Sequence, residues 1–209
     1  MKKISLSVLI LFSLSFGLVQ AQETTPTKTT RNVFKLAPQQ FAVNTFQLGF
    51  EHFNEAMNRS MSYNLGFTVE QASNDYSKNG VSGEYQYRFY FSKFTDKISR
   101  RSPVKYKEGA YLGPFAKLGW YNVSAVIYQY YPSGASTTKN EVYNVFAVNP
   151  GFTIGYQRTI AEMLVIDIYA GGGVRTVDRN FSNNYGYSII DVEFKGIMPK
   201  FGMNVGIAF

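Results

Sequence analysis

Cysteine is absent from this chain of 209 residues, and histidine occurs once, at His52. Without thiols there is no disulfide, no thiolate metal site and no cysteine to carry a lipid anchor. A lone imidazole leaves little for the acid–base or nucleophilic chemistry that pairs a His with a Ser, Asp or Glu. His52 stands next to Glu51 near an expected tight turn and reads as a surface residue. One His and no tight carboxylate cluster also argue against a side-chain metal site, and no cofactor is expected. Also missing beyond the N-terminus is any run of about 20 apolar residues, the length a membrane helix needs. Mean hydropathy is close to neutral, as it is when polar and apolar residues alternate. Gly171-Gly-Gly-Val-Arg-Thr176 is rich in glycine but lacks the Lys-Ser/Thr of a phosphate loop. Glycine where strands crowd or bend is the better account.

Acidic residues are outnumbered, 14 against 21 Lys and Arg, for a net charge of +7. Met1-Lys2-Lys3, an apolar run through Val19 and the small-residue site Val19-Gln20-Ala21 read as a secretory signal peptide over residues 1–21. Its removal takes two lysines and no acid, leaving 19 − 14 = +5. That excess is compatible with an anionic lipid surface and too dispersed to argue for nucleic acid. Residues 22–30 are almost devoid of apolar side chains and read as a flexible periplasmic leader. Residues 31–209 are then one domain.

What the chain has in plenty is aromatics and alternation. Phe and Tyr number 18 and 16, and aromatics make 17% of the chain. In residues 60–70, Met61, Tyr63, Leu65, Phe67 and Val69 face one way and Ser62, Asn64, Gly66, Thr68 and Glu70 the other. That is period two, which no helix produces. The same alternation marks strands over 31–38 (ended by Pro38), 41–53, 81–91, 109–130, 142–157 and the segment from Leu164. It closes the chain at Lys200 to Phe209, where Phe201, Met203, Val205, Ile207 and Phe209 oppose Gly202, Asn204, Gly206 and Ala208. Residues 54–59 and 158–163 read as short turns; 71–80, 131–140 and 178–196 read as polar loops, the last with a hairpin extension at 187–195. The count is eight strands: an all-β, antiparallel up-and-down transmembrane β-barrel with both ends in the periplasm. Two connections fit that scheme poorly. The basic stretch 92–108 is long for a periplasmic turn, and 37–40 is short for an outer loop.

An eight-stranded barrel is just wide enough for side chains to fill. Its inward positions include Glu51, Glu70, Glu84, Arg88, Lys117, Asp167 and Arg175. Charges in a narrow lumen must be paired, so an ion-pair network is expected, centred on Glu51, Glu84, Arg88, Lys117 and Asp167. The strands over 109–130 and 141–157 exceed the roughly 9–11 residues that span a bilayer. Their hairpin, carrying Tyr128, Tyr130 and Tyr131, should project and offer a binding surface.

The strand motifs Phe46-Gln-Leu-Gly-Phe-Glu51, Gly83-Glu-Tyr-Gln-Tyr-Arg-Phe-Tyr-Phe91, Gly109-Ala-Tyr-Leu-Gly-Pro114 and Gly151-Phe-Thr-Ile-Gly-Tyr-Gln157 resemble those of small outer-membrane β-barrel proteins of Bacteroidetes-type bacteria, a porin-like family without an assigned function. The resemblance spans most of residues 31–209 and transfers no catalytic residue. It implies a monomeric, non-enzymatic barrel among outer-membrane lipids and lipopolysaccharide. It also implies a C-terminal insertion signal, ending at Phe209, for the barrel-assembly machinery. The rival readings are a narrow channel for small solutes and a soluble, lipocalin-like carrier of an apolar ligand. Facing separates the carrier from the rest, and alternation alone does not say which face is inside.

Overall fold

The computed structural model describes residues 32–54, 58–73, 76–91, 108–130, 136–160, 163–178 and 194–209. The expected signal peptide and leader lie outside them, as do Tyr131, most of the stretch 92–108 and the hairpin extension up to residue 193.

Eight strands follow one another: β1 (Asn32–Leu36), β2 (Thr45–Phe53), β3 (Arg59–Ser73), β4 (Tyr76–Tyr90), β5 (Gly109–Tyr130), β6 (Ser136–Ile160), β7 (Leu164–Val177) and β8 (Gly196–Ala208). Each pairs antiparallel with its neighbours in sequence, and β1 pairs with β8, so the sheet closes into an up-and-down barrel. Closure runs through Val33↔Ala208, Phe34↔Ile207 and Leu36↔Val205. The N–H of Phe209 donates to the carbonyl of Asn32 at 3.0 Å, so the last residue is tied to the first strand. A closed sheet leaves no unpaired edge. We call the end of the barrel holding Asn32 and Phe209 the terminal end, and the opposite one the far end.

Five expected boundaries move, one of them at the turn expected over 158–163, whose first three residues continue β6 to Ile160. Residues 38–43, expected to lead into the second strand, form a 3-10 turn that starts at Pro38, and β2 begins only at Thr45. Asn44 closes that turn with φ of 53°, a left-handed conformation that Asn tolerates better than most residues. The polar stretch 71–80 is largely not a loop. β3 and β4 run on through it to the pair Ser73↔Tyr76, helped by an ion pair between Glu70 and Lys78 at 2.6 Å. A ladder continues on backbone hydrogen bonds and cross-strand pairs and needs no apolar alternation. For the same reason β6 starts at Ser136, since its first residues pair with the long end of β5. β8 starts at Gly196, ahead of Lys200, and takes Pro199 into the strand.

Past Ala125 the strand β5 has no partner in β4, and before Ala147 the strand β6 has none in β7. Among the described residues, these ends of β5 and β6 pair only with each other. At the contact of β6 with β7, a Cβ on Gly171 would run into the backbone oxygen of Phe152, and one on Gly151 into that of Gly172. The glycine run marks a close strand approach, as its composition suggested.

The facing of side chains is the feature that bears on function. Leu65, Val69, Trp120, Phe152, Ile154 and Phe201 point outward and lie 59–77% exposed. Lys35, Glu51, Arg88 and Asp167 point inward and lie at most 1% exposed. A soluble protein is built the other way round.

Candidate functional site

The terminal half of the lumen is filled. Phe53, Tyr90 and Tyr111 stack in sequence, with ring centroids 5.4 and 5.3 Å apart. They pack with Val33, Val165, Tyr169 and Ala208. Into this aromatic layer the strands deliver four charges. The Lys35 ammonium lies 2.5 Å from Glu51 and 2.8 Å from Asp167, and donates to Gln157 Oε1 at 2.6 Å. The Arg88 guanidinium lies 2.9 Å from Asp167 and 3.4 Å from Glu51, with its centre 4.4 Å over the Tyr111 ring.

The carboxylates accept further bonds. Tyr111 donates to Asp167 Oδ1 at 2.8 Å, Asn204 donates to Asp167 Oδ2 at 3.1 Å, Tyr90 donates to Glu51 at 2.9 Å, and Ser60 also donates to Glu51. Lys35, Glu51, Ser60, Arg88, Tyr111, Gln157, Asp167 and Asn204 come from β1 through β8 in order. Every strand thus contributes to one polar cluster in which two cations meet two carboxylates, and net charge is zero. Such a cluster holds the register of a closed sheet, because slipping any strand by one residue turns its member outward. Burial of these ions is tolerable only because each is paired, although Arg88 Nη2 is buried without a hydrogen-bond partner.

A second cluster begins one layer farther from the terminal end. Glu84 accepts from Lys200 at 2.7 Å and Asn64 at 3.2 Å. Gln86 donates to Glu84 at 2.5 Å and accepts from Arg88 at 2.9 Å, which joins the two clusters. Lys200 also sits 4.0 Å over the Phe115 ring. Of the five residues expected to pair, Glu51, Arg88 and Asp167 touch directly, and Glu84 joins through Gln86. Lys117 stands opposite Glu84 across the β4–β5 ladder. It acts on Glu84 through its charge and makes no hydrogen bond or ion pair among the described residues. The cations that sequence reasoning left out are Lys35 and Lys200. Lys35 alternates in step with Val33 and Ala37 in the first strand, and Lys200 opens the closing strand. Only the strand register shows what each one meets.

Beyond Glu84 the lumen opens. A cavity of about 440 Å³ reaches the far end and is lined by Lys78, Lys117, Arg175, Lys200 and Glu84 together with polar and aromatic side chains. Glu70 engages Lys78 there. The backbone of Tyr128 and Tyr130 lies in the last residues of β5. Phe209 faces outward beside β1 and is 58% exposed. His52 is on the outer face, opposite in direction to Glu51, with its Nδ1 2.8 Å from Asn32 Oδ1.

A closed eight-stranded barrel with an apolar outer surface and a charged, half-filled lumen defines the class. A family model described as "Protein of unknown function (DUF3575)" matches residues 8–195, and the chain belongs to that family. No curated protein matches it. Among solved structures it is similar to the N-terminal β-barrel domain of Pseudomonas aeruginosa OprF. The match has 11% identity, covers 87% of this chain and 100% of that one, and has a TM-score of 0.35, too low to carry an argument.

Proposed function

We propose that this protein is an integral β-barrel of the bacterial outer membrane, reached through a cleaved signal peptide. It is non-enzymatic and serves envelope structure or surface interaction. The observation that carries this reading is the facing. Large apolar residues cover the outside of every strand, from Phe34 in β1 to Ile207 in β8, while the buried charges lie within. Monomeric soluble proteins rarely expose contiguous apolar patches beyond a few hundred Å², and lipid-facing barrels do so all round. The same facing speaks against a lipocalin-like carrier, whose apolar side chains would line the lumen.

The filled terminal half speaks against the channel reading. Ions would have to pass a layer in which Tyr111 and Arg88 are 0% exposed. In this reading the termini face the periplasm. The short β2–β3 and β6–β7 connections then lie there as well, and the β5–β6 connection lies outside among lipopolysaccharide, where Tyr128, Tyr130 and Tyr131 supply a binding surface. Phe209, tied to β1, completes the insertion signal for the barrel-assembly machinery. This combination fits the small outer-membrane barrels of Bacteroidetes-type envelopes.

Cell fractionation with gel electrophoresis tests the proposal. The protein should be found in the outer-membrane fraction and should migrate differently before and after boiling. Recovery in the soluble fraction alone would overturn it. Absence of conductance in planar bilayers is expected as well; steady ion currents would favour the channel.

A further inference from the structure

The seam that closes the barrel is short. β1 pairs with β8 over four positions, Val33↔Ala208 to Leu36↔Val205, where a membrane strand needs roughly 9–11 residues to cross. β8 continues toward the far end from Asn204 back to Gly196, paired with β7 alone among the described residues. On the other flank β2 begins at Thr45, opposite Thr68, while β3 runs on from Val69 to Ser73. The 3-10 turn 38–43 crosses this gap, and none of its residues is buried. Three side chains register the missing neighbour. Ile197, Phe201 and Val69 are 78, 77 and 70% exposed, the highest values among the described large apolar residues.

The far-end cavity of about 440 Å³ reaches this gap. It is lined by Met198 and Lys200 from the inner face of β8 and by Pro199 and Phe201 from the outer face. An unbroken wall keeps its two faces apart, so a cavity touching both passes around the edge of the strand. Ala42 and Val43 of the turn line it as well. At membrane depth an open sheet edge is tolerated only where protein buries it or a water-filled cavity meets it. Within the cavity most cations are engaged: Lys200 by Glu84, Lys78 by Glu70, and Arg175 by a partner of its own. Lys117 lines it with no hydrogen bond or ion pair among the described residues.

We infer that this gap is a side entrance from the bilayer, through which a long-chain fatty acid places its carboxylate at Lys117 while its alkyl chain stays outside against Phe201 and Val43. One unpaired ammonium suits a monoanion, and a carboxylate is a small lipid head that carries a single charge. The apolar flanks suit the tail, and the polar strand edge suits the head. The inference rests on the membrane reading proposed above, because only a lipid-covered outer wall supplies the ligand from the side.

Fluorescence quenching in phosphatidylcholine vesicles tests it. A chain carrying Trp120→Phe and Tyr121→Trp has its single tryptophan on the cavity wall, and the unaltered chain reports on the outer face through Trp120. A stearic acid with a nitroxide near its carboxylate should quench the cavity tryptophan saturably, one probe to one barrel. It should quench Trp120 in proportion to its amount in the bilayer, as any surrounding lipid does. Lys117→Met, and separately the methyl ester of the probe, should weaken cavity quenching by about tenfold or more, the worth of one charge-assisted hydrogen bond, with the shift on boiling unchanged. Phe201→Ser should weaken it severalfold. Should Tyr121→Trp not fold, native mass spectrometry of the unaltered chain carries the same test: one bound fatty acid, lost in Lys117→Met. Equal quenching by a water-soluble nitroxide carboxylate without a tail would overturn the side entrance, since that probe arrives from the far end. Binding indifferent to Lys117→Met would overturn the carboxylate site. Failure of the chain to insert into vesicles would defeat the membrane reading and this one together, whereas insertion without cavity quenching defeats this one alone.

Discussion

In the terminal half of the lumen, two cations and two carboxylates are each at most 1% exposed and each has several partners. In the far half, Lys78, Lys117, Arg175, Lys200 and Glu84 are among the described residues that line a cavity, and Lys117 has no direct partner among the described residues. Both halves use the same residue types on strands of one barrel. Local packing separates them: Phe53, Tyr90 and Tyr111 exclude water from the first cluster, and among the described residues no such aromatic layer covers the second. Charge in the dry half is tied to stability by its burial.

The comparison breaks most easily at Arg88. Replacing it with Met leaves Glu51 and Asp167 buried against Lys35 alone. Removing one partner of a buried ion pair typically costs about 3–5 kcal/mol. A lowered urea midpoint, followed by the fluorescence of Trp120, the single tryptophan, is the expected result. The double variant Arg88→Met/Glu51→Gln should recover part of the loss, because it restores charge balance. An unchanged midpoint for Arg88→Met would remove the distinction between the halves.

Tyr111→Phe is a gentler probe of the same layer. It keeps the ring under Arg88 and deletes the 2.8 Å bond to Asp167 Oδ1. The carboxylate keeps its other partners, so the expected cost is about 1–3 kcal/mol, read from the same midpoint. A larger drop than that of Arg88→Met would mean that the tyrosine, not the ion pairs, organises the cluster.

How much of this was legible from the residues differs between the halves for the same reason. Period-two alternation identified the strands and their two faces, and the barrel reading put Glu51, Arg88 and Asp167 on the inner one. Alternation carries no register, and register decides that Lys35 rather than Lys117 meets Glu51 and Asp167. It also hides strand that is polar on both sides, which is why residues 71–80 read as a loop until their pairing was known. A cavity is a property of what is missing between side chains. No pattern along the chain announces it.

Glu70→Gln tests the wet half from its rim. The Glu70–Lys78 pair is close, at 2.6 Å, but its members are 24% and 9% exposed. Partly solvated pairs are worth about 0–1 kcal/mol, so the midpoint should shift by less than about 1 kcal/mol. It should also fall off with added salt, as the Arg88 cluster should not. Salt titration of the two variants side by side checks this.

The smallest effect on stability should come from Lys117→Met. Its ammonium attracts Glu84 and repels Lys200 through space without touching either, so neutralising it removes one favourable and one unfavourable interaction of similar reach. The expected change is within about 0.5 kcal/mol. If the midpoint instead falls as far as with Arg88→Met, then Lys117 belongs to the buried network and the far half is a continuation of the plug. If stability holds, Lys117 lies outside the network that holds the fold.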